Sequence, residues 1–202
     1  MAAITKTAII NKALTLCGAT PITNITDQTN NARIASRVYD LARQSILSEC
    51  AWTFAKTRTT LSLSADTMAW YHSGETYIYV RPSTVLRIFE VSDMYATWRE
   101  EGDYIISDTS GLGIGFVYDL DDPSKYRPKF TEAFIDKLCS DICFMILNSA
   151  QKAEAFLAKY EKVSLPKAMA ENAQTGTQQE QIDDEWLNAK YGGVGNPARS
   201  YG

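Results

Sequence analysis

The sequence predicts an α+β protein, in which a mainly α-helical bundle carries an inserted small antiparallel β-sheet subdomain and an extended C-terminal arm. Three observations favour this class. Apolar residues recur at helical spacing on both sides of a central region of alternating, β-rich runs. The final stretch is polar and glycine-rich. We therefore expect residues 1–56 and 121–174 to form the two halves of the bundle, residues 57–120 the sheet and residues 175–202 the arm.

Two helices are predicted at the N-terminus. Apolar residues recur at helical spacing from Thr5 to Cys17, and Gly18 followed by Pro21 supplies the stop. A second helix, from about Asn30 to Cys50, carries an apolar stripe on one face and charged residues on the other. Because the link between the two helices is short, we expect them to pack as neighbours.

The middle of the chain changes from helical spacing to alternation. Trp52 and Phe54 directly follow the second helix and are expected to plug the core. Short turns such as Glu101-Gly102-Asp103 separate the runs that follow, which favours one small antiparallel sheet over βαβ units. The strand-like runs are Thr57 to Leu63, Tyr77 to Val80, Val85 to Val91, a start at Thr97 and Trp98, Tyr104 to Ser107, and Ile114 to Tyr118.

The second helical region contains the most apolar segment of the chain, from Phe130 to Leu147. Its apolar face is broad, so we expect a central helix that is contacted on more than one side. A further helix is predicted from about Ala150, and Pro166 should kink or split it because proline lacks a backbone donor. The stretch from Thr175 to Gln181 is rich in Gln and Thr, has no apolar residue and is typical of a linker.

Composition limits the possible functions. The 202 residues are 45% apolar, and 20 Lys and Arg face 24 Asp and Glu, for a net charge of −4. This balance argues against a protein that wraps nucleic acid, which needs a basic surface. There is no apolar run of about 18 residues, so we expect no membrane insertion.

The four cysteines contain no CxxC pair and lie in apolar, helical patterns, which favours buried free thiols in a reducing compartment. Cys139 and Cys143 are one helical turn apart, a spacing that could suit a metal. No histidine or second thiol pair accompanies them, so we expect neither a metal nor another cofactor. The cysteines are Cys17, Cys50, Cys139 and Cys143.

Signatures of catalysis are weak, and we expect no enzymatic activity. The single histidine, His72, lies in a predicted loop. Gly111, Gly113 and Gly115 form GxGxG, but a strand follows them where a dinucleotide site needs a helix, so a flexible hairpin is the better interpretation. Adjacent carboxylates could serve a glycosidase, although such pairs in turns are usually solvated. The acidic pairs are Glu100 with Glu101, Asp121 with Asp122, and Asp183 with Asp184.

The C-terminal stretch from Glu180 to Gly202 combines a polar, glycine-rich background with large apolar side chains. Exposed aromatic surface is a liability, whereas a few buried aromatics usually dominate an interface. We therefore predict an arm that docks onto a partner, although Trp186 could instead fold back onto its own core. The predicted anchors are Trp186, Leu187, Tyr191 and Tyr201.

The order of these features resembles one family, the head-to-tail adaptors, or tubular tail protein A, of short-tailed bacteriophages (podoviruses). The most family-like element is the W-x-F-A plug from Ala51 to Ala55. The chain departs from the family pattern at Pro166, which interrupts a usually longer helix, and from Ser64 to Gly74. The other similar stretches are Ile10 to Ile22, Asn31 to Ile34, Ser45 to Leu47, Pro82 to Ile88, Phe116 to Tyr118, Asp122 to Phe130, and Trp186 to Lys190.

The resemblance implies a structural virion protein. It implies a homo-oligomeric ring of about twelve copies between the portal protein of the capsid and the tail nozzle protein. Genomic DNA would leave through the central channel without sequence-specific binding. The protein would be assembled in the cytoplasm of the host bacterium and reside in the virion at the head-tail interface.

Two other functions stay open at this stage. Some adaptors of short-tailed phages are thought to degrade the cell wall, so the alternative is a tail-associated peptidoglycan hydrolase that uses an acidic pair. The third hypothesis is a DNA-binding module in which Arg33, Arg37 and Arg43 form a basic stripe on the second helix. The acidic total and the absence of a known nucleic-acid-binding motif argue against it.

Overall fold

The computed structural model describes residues 4–175, and this part of the chain mixes helices with antiparallel strands. The N-terminal helices and the strands confirm the predicted order of elements, with small shifts at their ends. The elements are α1 (Lys6–Cys17), α2 (Asn30–Glu49), β1 (Lys56–Thr60), β2 (Tyr77–Val80), β3 (Val85–Val91), β4 (Trp98–Glu101), β5 (Tyr104–Ser107), β6 (Gly113–Tyr118), α3 (Pro128–Leu147), α4 (Ala150–Lys159) and α5 (Leu165–Gln174).

The ends of the first two helices are defined by local chemistry. Thr5 caps α1 because its side chain accepts a hydrogen bond from the Ala8 amide, and Thr29 caps α2 in the same way through Ala32. Gly18 ends α1 with a φ of +85°, a left-handed conformation that glycine adopts without strain. α1 and α2 contact each other, as the short link predicts. Each packs more extensively against α3, a distant element that the length of the link says nothing about.

Helix α3 is the central element, as its broad apolar face predicts, and it contacts α1, α2, α4 and α5. Trp52 is 1% exposed and its Nε1 donates to the Ile46 carbonyl at 2.9 Å, which satisfies its one polar atom. Its ring meets Phe130 of α3 edge to face at 5.0 Å between centroids, and Phe54 meets the same ring at 4.9 Å. The predicted core plug is therefore confirmed.

The strands form two three-stranded antiparallel sheets, with orders β1-β6-β3 and β2-β5-β4, so the prediction of one small sheet is wrong. A shared apolar cluster contains Tyr79 and Ile105 of one sheet with Ile114 and Phe116 of the other. Alternation along a strand is the same for one sheet or two packed sheets, so the sequence did not distinguish them. β1 is also shorter than predicted, because the chain crosses beyond it to bridge Tyr79 at Leu63.

The C-terminal helices are split near Pro166, as predicted. A π-helical turn, Tyr160–Ser164, separates α4 from α5, and Pro166 lies in the first turn of α5. Such a turn brings residues five apart close together. Here Lys159 Nζ donates at 2.8 Å to the buried Asp136 of α3, and the Ser164 hydroxyl donates to the other oxygen of the same carboxylate. The π turn thus holds α4 and α5 against α3.

Replacing Trp52 with Ala should lower the free energy of unfolding by about 3–5 kcal/mol, because it removes a large buried ring and leaves a cavity next to Phe130. The measurement is urea denaturation followed by circular dichroism. Trp70→Ala is the matched control: this side chain is 64% exposed, so we expect a change within about 0.5 kcal/mol. Equal losses from the two variants would contradict the core assignment.

Candidate functional site

The predicted interface anchors lie outside the described residues; they are Trp186, Leu187, Tyr191 and Tyr201. The described chain ends at residue 175, ahead of these anchors. Helix α5 ends at Gln174, and the hydroxyl of Thr175 is 3.1 Å from the hydroxyl of Thr53. Thr53 precedes β1 by three residues. The described chain therefore leaves α5 beside the short 3-10 turn, Thr53–Ala55, that leads into β1.

Asn172 fixes this departure point. It is 8% exposed, and its Oδ1 accepts a hydrogen bond from the Thr53 amide at 2.8 Å while its Nδ2 donates to the Ala51 carbonyl at 3.1 Å. A buried amide that uses both ends in this way specifies geometry as well as contributing stability. Sequence analysis missed Asn172, because a single Asn in an amphipathic helix carries no signal for a distant partner.

Strand β1 is the edge of its sheet and is exposed along its whole length. In the described part of the chain it pairs with β6 and with no second strand. The Leu61 amide donates to the Leu112 carbonyl at 2.9 Å, which continues the β1–β6 register. Because antiparallel pairs alternate, the backbone groups of Arg58 and Thr60 point away from β6. Such outward-facing groups are a template for an added strand.

A shallow groove adjoins this edge, and two glycines of β6 form its floor. Gly115 lies directly between Arg58 of β1 and Glu90 of β3 in the sheet register. The Arg58 Nε donates to Glu90 Oε1 at 2.7 Å, so the ion pair spans the middle strand. A Cβ on Gly115 would lie 2.5 Å from Glu90 Cγ, which explains the glycine. Ser92 closes the groove beside Gly113, whose amide donates to its hydroxyl at 2.9 Å.

The hairpin interpretation of the three glycines is therefore wrong. Gly111 has a φ of +68° in the turn between β5 and β6, but these strands belong to different sheets. Gly113 and Gly115 lie within β6, the central strand of its sheet. In the sequence, only the glycines followed by a strand-like run point to the groove. The ion pair across the strands could not be predicted without the register of β1, β6 and β3.

The candidate catalytic residues do not form a site in residues 4–175. His72 packs its ring edge on against Trp70 at 4.8 Å between centroids. Glu100 and Glu101 each pair with an arginine, at 3.2 and 3.0 Å. The Ser124 hydroxyl and amide donate to Asp122 and hold the pKa of its carboxyl below the usual range. A glycosidase acid needs a raised pKa instead. Asp183 and Asp184 lie outside the described residues.

The proposed basic stripe on α2 is interrupted. Arg43 is 4% exposed, and its Nη2 lies 3.0 Å from Asp119 and 3.5 Å from Asp40. Its Nη1 also donates to Asp121, which is paired in turn with Lys6 at 2.6 Å. Arg43 therefore joins α2 to the segment after β6, and it cannot contact a phosphate backbone without leaving this cluster.

Three of the four thiols, Cys17, Cys139 and Cys143, lie between α1 and α3, whereas Cys50 follows the end of α2. Cys17 Sγ donates weakly to the Cys139 carbonyl, and Cys139 Sγ donates to the Ala13 carbonyl, at 3.7 and 3.6 Å. A hydrogen bond to Cys139 and burial raise the pKa of Cys17 well above the usual range, and burial raises the pKa of Cys143 to about 12. Reactive thiols have lowered pKa values, so Cys17 and Cys143 are packing residues. Within residues 4–175, His, Cys, Asp and Glu form no group of three or more suited to a metal ion.

Large apolar side chains are exposed on both the helical and the β regions. Met94 and Tyr95, at the turn between β3 and β4, are 83% and 84% exposed. Phe144 and Met145, near the end of α3, are each 55% exposed. Interface cores are enriched in aromatic residues and Met, so these are candidate assembly contacts. None of the helices in the described range is long and apolar enough to cross a bilayer.

No known protein-family model matches the sequence, and no curated protein is significantly similar to it.

Replacing Arg43 with Ala should lower the free energy of unfolding by about 1–3 kcal/mol, because the half-buried Asp119 loses its cation while Asp121 keeps Lys6. Thermal and urea denaturation at neutral pH measure the loss. Arg37→Ala on the same helix is the control, since Arg37 is exposed and should tolerate the change within about 0.5 kcal/mol. A similar small effect for both variants would show that the cluster is not structural.

Proposed function

We propose that this protein is the head-to-tail adaptor of a short-tailed bacteriophage, a structural virion protein without enzymatic activity. The observation that carries the proposal is the ordered series of family-like stretches, from the opening helix through the W-x-F-A plug to the tryptophan-containing arm. Its finer architecture would be a helical bundle with an inserted β subdomain and an extended C-terminal arm. The central position of α3 and the fixed departure point of residue 175 are compatible with this architecture.

In this proposal, about twelve copies form a closed ring, so each subunit needs two different and complementary side surfaces. The apolar side chains exposed on the helices and at the β3–β4 turn are candidates for these contacts, since interface cores are enriched in aromatic residues and Met. Portal protein would bind at one end of the ring and the tail nozzle protein at the other. The mature location would be the virion, at the head-tail interface.

The charge of the chain suits a channel for DNA. A net charge of −4 per subunit adds up around a ring to a strong negative field, which keeps the duplex from adhering to the wall. The burial of Arg43 among carboxylates further reduces the basic surface of α2. DNA would therefore pass through without sequence-specific binding.

The mass of the purified protein, alone and mixed with the portal protein of the same phage, tests the proposal. We expect a closed ring of about twelve copies, alone or on the portal, by light scattering and negative-stain imaging. A stable monomer that ignores the portal would overturn the adaptor assignment. A zymogram on peptidoglycan would then test the alternative, a tail-associated hydrolase.

Removing all residues beyond Thr177 should abolish attachment to the portal, because the predicted anchors of the arm lie in the deleted segment. Portal co-sedimentation measures attachment, and circular dichroism verifies that the fold is kept. Trp186→Ala combined with Leu187→Ala should weaken attachment in the same direction, whereas Asn188→Ala serves as the matched control. Normal attachment of the truncated protein would exclude the arm as the portal-binding element.

A further inference from the structure

Two regular strand edges are open within residues 4–175, the outer side of β1 and the outer side of β4. We propose that β1 of one copy of the chain pairs with β4 of the next copy, so that neighbouring subunits share a continuous sheet. The proposal deepens the adaptor function and rests on it, because it names the contact that would join the copies around the ring.

The other two edges of the sheets are less suited to a partner strand. The chain that follows β1 covers the free side of β2. The Val80 amide donates to the Ser62 carbonyl at 3.0 Å, and the Ser64 amide donates to the Ile78 carbonyl at 2.8 Å. The register of β3 shifts twice along its pairing with β6, and such bulges disturb an edge as a template. Among the described residues, β1 and β4 therefore provide the regular open edges.

β1 and β4 lie at opposite sides of the two sheets. The chain that follows β1 crosses to the free side of β2, where Leu63 bridges Tyr79, so β1 and β2 share one side. β3 is the other edge of the first sheet and leads into β4 through the short segment 92–97, so β3 and β4 share the opposite side. A closed ring of identical copies requires two different, complementary surfaces of this kind on each subunit.

The charges of the two edges are complementary. β1 has Lys56 and Arg58 and no acid, whereas β4 has Glu100 and Glu101 against one base, Arg99. Arg58 and the two glutamates each pair within their own chain but stay partly exposed. A guanidinium has five N–H donors and a carboxylate accepts several hydrogen bonds, so these groups can also bind across the interface. Two β1 edges paired about a two-fold axis would instead oppose like charges, which is destabilising.

The backbone groups of the two edges also match. In β1, the amides and carbonyls of Arg58 and Thr60 point away from β6. The Thr97 carbonyl accepts a hydrogen bond from the residue after β5 at 3.2 Å, so by alternation the groups of Trp98 and Glu100 point outward from β4. An antiparallel pair with Arg58 opposite Glu100 places Thr60 opposite Trp98, and each outward group then meets an outward group.

Exposed apolar side chains lie close to both edges in the chain. Met94 and Tyr95 shortly precede β4 and are 83% and 84% exposed, and Leu63 shortly follows β1 and is 61% exposed. Aromatic residues and Met are enriched in interface cores. Association through the two edges would bring these side chains to the border of the interface, so the same contact accounts for their exposure in the single chain.

Disulfide trapping in the full-length protein tests this pairing. In the proposed register Thr57 lies opposite Glu101 in a non-hydrogen-bonded pair, with Cα atoms about 4.5 Å apart, a distance that a disulfide can span. One variant carries Thr57→Cys and the other Glu101→Cys, each with Cys50→Ser, because Cys50 is the native thiol that is not buried. After assembly with the portal and air oxidation with copper phenanthroline, the mixture should give a covalent dimer, and neither variant alone should do so.

A backbone substitution provides an independent check. Thr60→Pro removes an outward amide that β6 does not use, and proline is tolerated on an edge strand but not inside a sheet. We expect at least about tenfold weaker association of the copies, measured by light scattering over a dilution series. Thr60→Val is the matched control, since it keeps the amide and should associate as the unmodified chain does. Circular dichroism verifies that both variants keep the fold.

The outcomes separate the edge pairing from the adaptor function. A ring on the portal that gives no covalent dimer in the mixture would overturn the edge pairing and leave the adaptor function standing. A covalent dimer from either variant alone would show that like edges pair, and it would equally overturn the proposal. Cross-linked open chains that never close on the portal would support the edge pairing and overturn the adaptor function. Copies that do not associate in any experiment would overturn both.

Discussion

The aromatic contact between Trp52 and α3 is the interaction on which the rest of the structure depends. The ring is almost fully buried, touches Phe130 and hydrogen-bonds the Ile46 carbonyl at the end of α2. One side chain therefore fixes the end of α2, the path of the chain into β1 and the position of α3. Asn172 holds the same short segment from the other side, through Thr53 and Ala51. The C-terminal end of α5 is thus coupled directly to the core.

Local signals in the sequence predicted the elements well. The capped helices, the split at Pro166, the central helix and most strands follow from spacing, caps and turn residues, which act over a few positions. The partners of these elements did not follow. One sheet was predicted where two exist, and the short link between α1 and α2 did not reveal that both pack mainly on α3. Partner choice depends on shape and packing across the molecule, which alternation and spacing do not encode.

Prediction was weaker for the candidate site. The arm anchors were chosen because aromatic residues in a polar, glycine-rich stretch need a partner, and that prediction lies outside the described residues. The Arg58–Glu90 ion pair over Gly115 depends on three strands in register, so no single segment carried its signal. Arg43 illustrates the opposite error. Its helical spacing suggested an exposed basic stripe, whereas Asp119 and Asp121 from a distant segment bury it.

The Arg43 cluster also has a mechanical consequence. The chain leaves the helical region after α2 and returns to it after β6, so the helices and the sheets are joined covalently by two backbone segments. Arg43 links α2 directly to the segment that follows β6, through Asp119 and Asp121. Lys6 joins α1 to the same cluster. Tension applied across the molecule would therefore be shared among three segments at one point. A cluster of this kind resists rotation of the two regions against each other. High salt would screen its exposed ion pair, between Lys6 and Asp121, before the pairs of the buried Arg43.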